Sequence, residues 1–169
     1  MPVLPPKYLS PRRFSEVWQM SADWPGTLDQ QAAVRKTLSV DFGDNRHRFM
    51  KRLDYTTNTI WDRSFLIVGF LPDDMFPPDW LAVAGVSGVS MRAGFALSAI
   101  GGQLEHEVGH VADKHLLNAE RRLEYMFMKG IDPNSNTWNW NVQEMWADDF
   151  REWFSTDGSS RPELTPWLT

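Results

Sequence analysis

The chain has 169 residues, of which 42% are hydrophobic and 23% charged, and its formal net charge at pH 7 is −5. This length and apolar content fit one globular domain with its own core and exclude an intrinsically disordered chain. The acidic balance and the lack of a run of lysines or arginines argue against nucleic acid as a partner, because phosphate backbones are bound by clustered positive charge.

The N-terminal part is predicted to be an extended arm followed by short helices. Residues 1–10 contain closely spaced prolines, which favour an extended conformation. Helices are expected after Pro11, after the cap candidate Thr27 and over residues 45–54. The same prolines interrupt the apolar stretch that a secretory signal needs, so we expect no signal peptide and a cytoplasmic protein at synthesis.

Three short apolar segments predict a small sheet. Residues 64–70, SFLIVGF, are rich in β-branched and aromatic side chains and fit a buried strand. Residues 81–86 and 89–97 are rich in small side chains and are separated by a Ser-Gly pair, so they form either a hairpin or two consecutive edge strands. The second of these segments contains Arg92, which makes the region a poor membrane helix, and we expect no membrane partner.

The C-terminal part is predicted to be mainly helical. Helices are expected over residues 98–118 and 141–154, with a polar, glycine-containing loop at 129–139. Helices, then a small sheet, then helices indicate the α+β class. We expect a single domain over residues 1–169, made of an arm (1–10), a mainly helical part (11–63), the sheet (64–97), the helices of the candidate site (98–154) and a tail (155–169).

One motif within the predicted helix is typical of a catalytic metal site. Residues 106–110 read HEVGH, a match to H-E-x-x-H. At 100° per residue, His106 and His110 lie about 40° apart on successive turns, so both imidazoles can reach one metal ion. Glu107 lies about 100° from His106, which suits a general base rather than a ligand. Because the chain contains no cysteine, any bound metal must be held by His, Asp or Glu.

A catalytic zinc ion (Zn²⁺) usually has three protein ligands, so a third ligand is required. The metzincin extension of the motif is excluded, because it needs Gly and His where this chain has Asp113 and Leu116. The remaining zincin pattern takes a glutamate from a second helix, and the segment NVQEMWADDFREWF supplies Glu144 as the predicted third ligand. Asp148 follows one turn later and is expected to accept a hydrogen bond from a zinc-bound histidine.

Together the two segments carry a family resemblance. HEVGHVAD followed by QEMWADDF resembles the catalytic domain of anthrax lethal factor and its relatives, zinc peptidases of the gluzincin type. The resemblance spans about residues 105–154, under a third of the chain. The matched residues are His106, Glu107, Gly109, His110, Asp113, Glu144, Ala147 and Phe150.

The resemblance implies a zincin-like fold, bound zinc and hydrolysis of peptide bonds. It implies that an edge strand within 89–97 binds an extended substrate, and that Asp113, like Asp148, supports the ligands from outside. Members of this family commonly place a tyrosine shortly before the glutamate ligand, where its hydroxyl stabilises the oxyanion. Tyr125 is the only tyrosine between the two segments, and it is therefore the candidate for this role.

The leading hypothesis is a zinc metalloendopeptidase that acts on a protein or peptide substrate, with Glu107 as general base and the segment 134–141 lining the site. The alternative is a structural or interaction subunit of an assembly such as a phage virion, which retains the fold with little or no turnover. The tryptophan-rich composition and the proline-rich arm suit such a docked subunit. A third hypothesis is a small regulatory peptidase that cleaves one protein.

Overall fold

The computed structural model describes residues 26–40, 67–76, 78–85 and 88–155. The predicted arm, the predicted helix after Pro11, the predicted helix over 45–54 and the tail beyond residue 155 lie outside this part of the chain. Within it, four α-helices and one three-stranded sheet form an α+β fold, which confirms the predicted class.

Helix α1 (Leu28–Val40) begins where the cap candidate predicts. The Thr27 hydroxyl accepts a hydrogen bond from the Gln30 amide at 3.1 Å, and the Gln30 side-chain oxygen accepts one from the Thr27 amide at 2.9 Å. This reciprocal pair is a capping box, which satisfies two amides at the start of the helix. The Gln30 side-chain amide also donates to the Ala93 carbonyl at 2.7 Å, so the cap fixes α1 to the turn that follows the sheet.

The sheet contains β1 (Ile67–Leu71), β2 (Ala82–Ala84) and β3 (Gly88–Arg92) in the order β1-β3-β2. Strand β1 is parallel to β3, whereas β2 is antiparallel to β3, so of the two arrangements expected for residues 81–86 and 89–97 the hairpin is the one observed. A short 3₁₀ helix (Asp73–Met75) follows β1.

The third strand departs from the prediction in two ways. It ends at Arg92 rather than at residue 97, because Ala93 and Gly94 form a turn in which the Gly94 amide donates to the Asp73 carboxylate at 3.1 Å. It is also the central strand, so the expectation that an edge strand lies within 89–97 is wrong. Within the described residues, the edge position next to β3 belongs to β2, which is three residues long.

Three further helices complete the described fold: α2 (Leu97–Leu116), α3 (Ala119–Met128) and α4 (Trp140–Ser155). Helices α2 and α4 lie within two residues of their predicted bounds at every end. Helix α3 is not among the predicted elements, although Asn118 caps it by accepting a hydrogen bond from the Arg121 amide at 2.8 Å. No helix in the described ranges combines the length and apolar character needed to cross a membrane.

The core lies between the sheet and helices α2 and α4. Helix α2 contributes the apolar stripe that its sequence predicts, and α4 packs large rings against it. Fully buried members include Val89, Met91, Ile100, Leu104, Val111, Tyr125, Trp146 and Phe150.

Gly109 sets how closely α2 and α4 approach each other. A Cβ at this position would lie 3.0 Å from the Ala147 Cα and 3.2 Å from the Phe150 Cβ. Since backbone atoms cannot move aside cheaply, Gly109→Ala is expected to lower the free energy of unfolding by overpacking, typically about 1–3 kcal/mol. That loss exceeds the roughly 0.5–1 kcal/mol that alanine gains over glycine within a helix. Urea unfolding monitored by circular dichroism measures the change.

Gly102 provides the matched control on the same helix. It is exposed, and a Cβ there would meet no atom within 4 Å. Gly102→Ala is therefore expected to raise the free energy of unfolding by about 0.5–1 kcal/mol. Equal effects of the two substitutions would contradict the close approach of α2 and α4 at Gly109.

Candidate metal centre

Helix α2 presents His106 and His110 on one face, one turn apart. Their ring centroids are 5.0 Å apart, and each residue is 7% exposed. A hydrogen bond from α4 fixes this helix: the Trp146 indole N–H donates to the Gly109 carbonyl at 2.9 Å. Two imidazoles therefore point from a fixed, buried helix toward the same space.

Helix α4 brings Glu144 to both histidines. The Asn139 side chain accepts a hydrogen bond from the Val142 amide at 3.1 Å and caps this helix, which places Glu144 early in α4. The Glu144 carboxylate lies 3.2 Å from the His106 Nε2 and 2.9 Å from the His110 Nε2. One ligand atom from each of the three residues falls within a group no wider than 4.8 Å. The structure thus brings together the three residues predicted as ligands.

The charges at this group suit a cation. Burial alone would raise the pKa of Glu144, but the hydrogen bonds from His106 and His110 outweigh burial and lower its pKa to about 2. Burial likewise lowers the pKa of His106, yet its hydrogen bond with Glu144 and the charges of nearby carboxylates outweigh burial and raise its pKa above the ordinary value. The low pKa keeps the Glu144 carboxylate ionised, which is the form that a metal ligand takes.

Glu107 lies beside this group on α2 but is not a member of it. It is buried, and its carboxylate accepts a hydrogen bond from the Gln103 side-chain amide at 2.9 Å. Burial raises the pKa of Glu107 above its ordinary value, although the two histidines and Gln103 oppose this shift. A buried carboxylate that attracts protons more strongly than usual, and that faces the same cavity as the histidines, has the properties of a general base.

Asp148 supports the group from outside. Its carboxylate lies 2.9 Å from the His106 Nδ1 and 3.1 Å from the Arg151 guanidinium. An acceptor at Nδ1 fixes the ring and leaves Nε2 directed at Glu144, which is the arrangement expected for a metal-binding histidine.

Asp148→Asn is expected to weaken metal binding without removing a ligand. The amide keeps the shape of the side chain but loses the charge that holds the His106 ring, and loss of such partners typically costs roughly 10–100-fold in metal affinity. Competition with a fluorescent zinc chelator measures the change. Arg151→Gln should have a smaller effect, since Arg151 contacts Asp148 and not the histidine. An Asp148→Asn affinity equal to that of the wild type would contradict this role.

Asp113 does not occupy the supporting position that the resemblance implies. Its buried carboxylate accepts hydrogen bonds from the Arg122 guanidinium at 3.0 Å and from the Trp138 indole N–H at 2.9 Å. These contacts join α2 to α3 and to the loop before α4. Asp113 thus holds the two segments of the site together rather than orienting a histidine.

Tyr125 is not at the site. It is fully buried in the core, and its hydroxyl donates to the Asp149 carboxylate at 2.7 Å, which also lies 2.9 Å from the Lys129 ammonium. Tyr125 does not line the cavity that contains the histidines. The expectation that it stabilises an oxyanion is corrected by this position: its hydroxyl serves the packing of α3 against α4.

A cavity of about 730 Å³ opens over the three grouped residues. Strand β2 forms one wall, and α2 and α4 form the others. Trp140 lies at its mouth, with its ring stacked on the His110 imidazole at a centroid distance of 5.7 Å. The residues that line the cavity are Asp79, Trp80, Leu81, Ala82, Val83, Ala84, Gln103, His106, Glu107, His110, Lys114, Trp140, Gln143, Glu144, Asp148 and Arg151.

No family model, no curated protein and no solved structure matches this chain. The resemblance to the lethal factor family therefore rests on the two sequence segments alone.

Several lining residues were not predicted. Gln103 and Arg151 could have been found, since they lie four residues before Glu107 and three residues after Asp148 on the same helix faces. Trp80 comes from a different segment, and nothing in its local sequence connects it to the motif. The predicted lining segment 134–141 contributes Trp140, whereas Trp138 contacts Asp113 instead.

Proposed function

We propose that this protein is a zinc-dependent peptidase of the gluzincin type with a zincin-like fold. The observation that carries the proposal is the convergence of the His106 and His110 Nε2 atoms on the Glu144 carboxylate, with the buried Glu107 beside them in one cavity. Helices α2 and α4 supply all four residues. The same four residues are among those that carry the sequence resemblance.

The donor set fits zinc. Two imidazole nitrogens and one carboxylate are ligands that catalytic zinc takes, with a fourth position left open. Asp148 accepts from the His106 Nδ1 and so favours the tautomer that directs a lone pair from Nε2. When bound, zinc would supply a Lewis acid that polarises the scissile carbonyl and acidifies a water molecule.

Proton transfer is assigned to residues of the chain itself. The Glu107 carboxylate is placed to take a proton from the attacking water and to deliver it to the leaving amine. Gln103 donates to one carboxylate oxygen and so restricts the side chain to a single orientation. Burial raises the pKa of Glu107, which makes it a stronger base than an exposed glutamate.

Strand β2 offers an edge for an extended peptide. The Arg92 amide donates to the Leu81 carbonyl and the Gly85 amide donates to the Gly88 carbonyl, so alternate residues of this strand bond to β3. The N–H and C=O groups of Ala82 and Ala84 therefore point away from β3, toward the outer edge of the sheet. Lys114 already contacts this edge, with its ammonium 3.4 Å from the Ala84 carbonyl. A substrate backbone added at β2 would lie along the cavity wall.

One observation favours the alternative of a binding protein with little turnover. The only tyrosine between the two segments is buried away from the cavity and is therefore not available to an oxyanion. Loss of one such donor costs roughly 10²–10³ in rate in other hydrolases. This alternative retains zinc binding by the same residues and predicts slow or absent cleavage.

Incubation with an unbiased peptide library, read by mass spectrometry, tests the proposal. The protein reconstituted with zinc is expected to produce new peptide termini, and the same sample treated with a chelator is expected to produce none. Zinc-bound protein that yields no new termini would favour the binding protein over the peptidase.

A further inference from the structure

Two tryptophans lie at the mouth of the cavity with much of their surface exposed. Trp80 is 38% exposed and Trp140 is 59% exposed. Their rings are stacked, with centroids 6.3 Å apart and planes inclined by 10°. Because Trp140 also stacks on His110 with planes inclined by 12°, three nearly parallel rings, those of Trp80, Trp140 and His110, lie next to one another beside the candidate metal centre.

Hydrogen bonds fix the backbone at both tryptophans. The Arg92 guanidinium donates to the carbonyls of Trp80, Asp73 and Pro78, the last two at 3.1 and 3.2 Å, and so fixes the segment between β1 and β2. Trp140 is the first residue of α4, whose start is capped by Asn139. Ring faces that are fixed before binding lose little conformational entropy when a ligand stacks on them.

The position of the rings relative to β2 indicates what they contact. Trp80 lies just before β2, and the strand contributes Ala82, Val83 and Ala84 to the cavity wall, all with side chains smaller than the indoles. A peptide backbone paired with the outer edge of β2 would direct alternate side chains into the cavity, beside the indoles. A flat apolar side chain matches the flat apolar face of an indole.

We propose that Trp80 and Trp140 form a subsite that selects an aromatic side chain of the substrate. This inference rests on the proposed peptidase function, because it requires that the cavity bind a peptide that lies along β2. It sets specificity and takes no part in proton transfer. Trp80 is the better residue to vary, because Trp140 also contacts His110.

The test uses peptides of one cleavable sequence in which a single phenylalanine, alanine or arginine is moved from position to position. For zinc-loaded wild-type protein, we expect phenylalanine at one position to raise kcat/KM by about tenfold over alanine, which corresponds to about 1.4 kcal/mol. Trp80→Ala should reduce this ratio to about one, whereas Trp80→Phe should retain most of it. Phe127→Ala, which removes an exposed aromatic side chain outside the cavity, should leave the ratio unchanged.

Binding of the same peptides to zinc-loaded Glu107→Gln protein, measured by calorimetry, separates this inference from the peptidase proposal. Tighter binding of the phenylalanine peptide that disappears in the Trp80→Ala, Glu107→Gln double variant supports the subsite, even if the wild type cleaves nothing. Cleavage without any aromatic preference overturns the subsite and leaves the peptidase standing. Preference for the arginine peptide also overturns it, because the rings would then select a cation.

Discussion

Replacing Glu107 by glutamine is expected to lower kcat for peptide cleavage by about 10²–10⁴, the usual contribution of a general acid-base group. Glutamine keeps the shape of the side chain and an oxygen that accepts the hydrogen bond from Gln103. It cannot accept the proton. Because Glu107 is not one of the three grouped residues, zinc content should remain that of the wild type. Steady-state cleavage of a fluorogenic peptide and elemental analysis of the same sample measure both quantities.

Glu124→Gln serves as the control for this substitution. Glu124 lies on α3, is exposed and contacts Arg121, so its replacement should change neither cleavage nor zinc content. If Glu107→Gln cleaved at close to the wild-type rate with a full complement of zinc, another group would have to be the base. The assignment of proton transfer to Glu107 would then be abandoned.

Glu144→Ala is expected to reduce zinc affinity by more than 10²-fold, because it removes one of three ligands rather than a supporting partner, whose loss costs roughly 10–100-fold. The remaining His106 and His110 stay on α2, and the fold should persist, since Glu144 lies at the cavity and not in the core. Titration of the metal-free protein with zinc against a competing chelator measures the affinity. Cleavage should be lost in parallel at zinc concentrations that saturate the wild type.

Met145→Ala is the matched truncation on the same helix. Met145 is exposed and does not line the cavity, so this variant should bind zinc as tightly as the wild type. The order of affinities is then expected to be Met145→Ala first, Asp148→Asn second and Glu144→Ala last. A Glu144→Ala affinity above that of Asp148→Asn would mean that Glu144 is not a ligand.

The local parts of this fold could be predicted from the sequence because their signals are local. The spacing of His106 and His110 requires only a helix, and the apolar stripe around them predicts that helix within two residues at each end. The cap candidate Thr27 predicts the start of α1 for the same reason. Helix α3 is not among the predicted elements although its Asn118 cap is a local signal, and its exposed Leu123 and Phe127 depart from the apolar face that Tyr125 and Met126 bury.

The tertiary parts could not be predicted in the same way. Apart from Arg92, residues 89–97 are apolar or small, so the sequence does not show that Gly94 turns the chain toward Asp73 or that β3 takes the central position. Tyr125 was assigned to the site only because it lies between the two segments, whereas the position of its hydroxyl depends on Asp149 from another helix. Trp80 lines the cavity, and the hydrogen bond that fixes its backbone comes from Arg92, twelve residues further along the chain.

The central claim is that one metal ion, bound by His106, His110 and Glu144, enables this chain to hydrolyse peptide bonds. The most direct test titrates zinc into the metal-free wild-type protein while bound zinc and peptide cleavage are followed on the same sample. The account predicts that both rise together and saturate at one zinc per chain. Cleavage by the metal-free protein, or saturation with zinc while no peptide is cleaved, would contradict it.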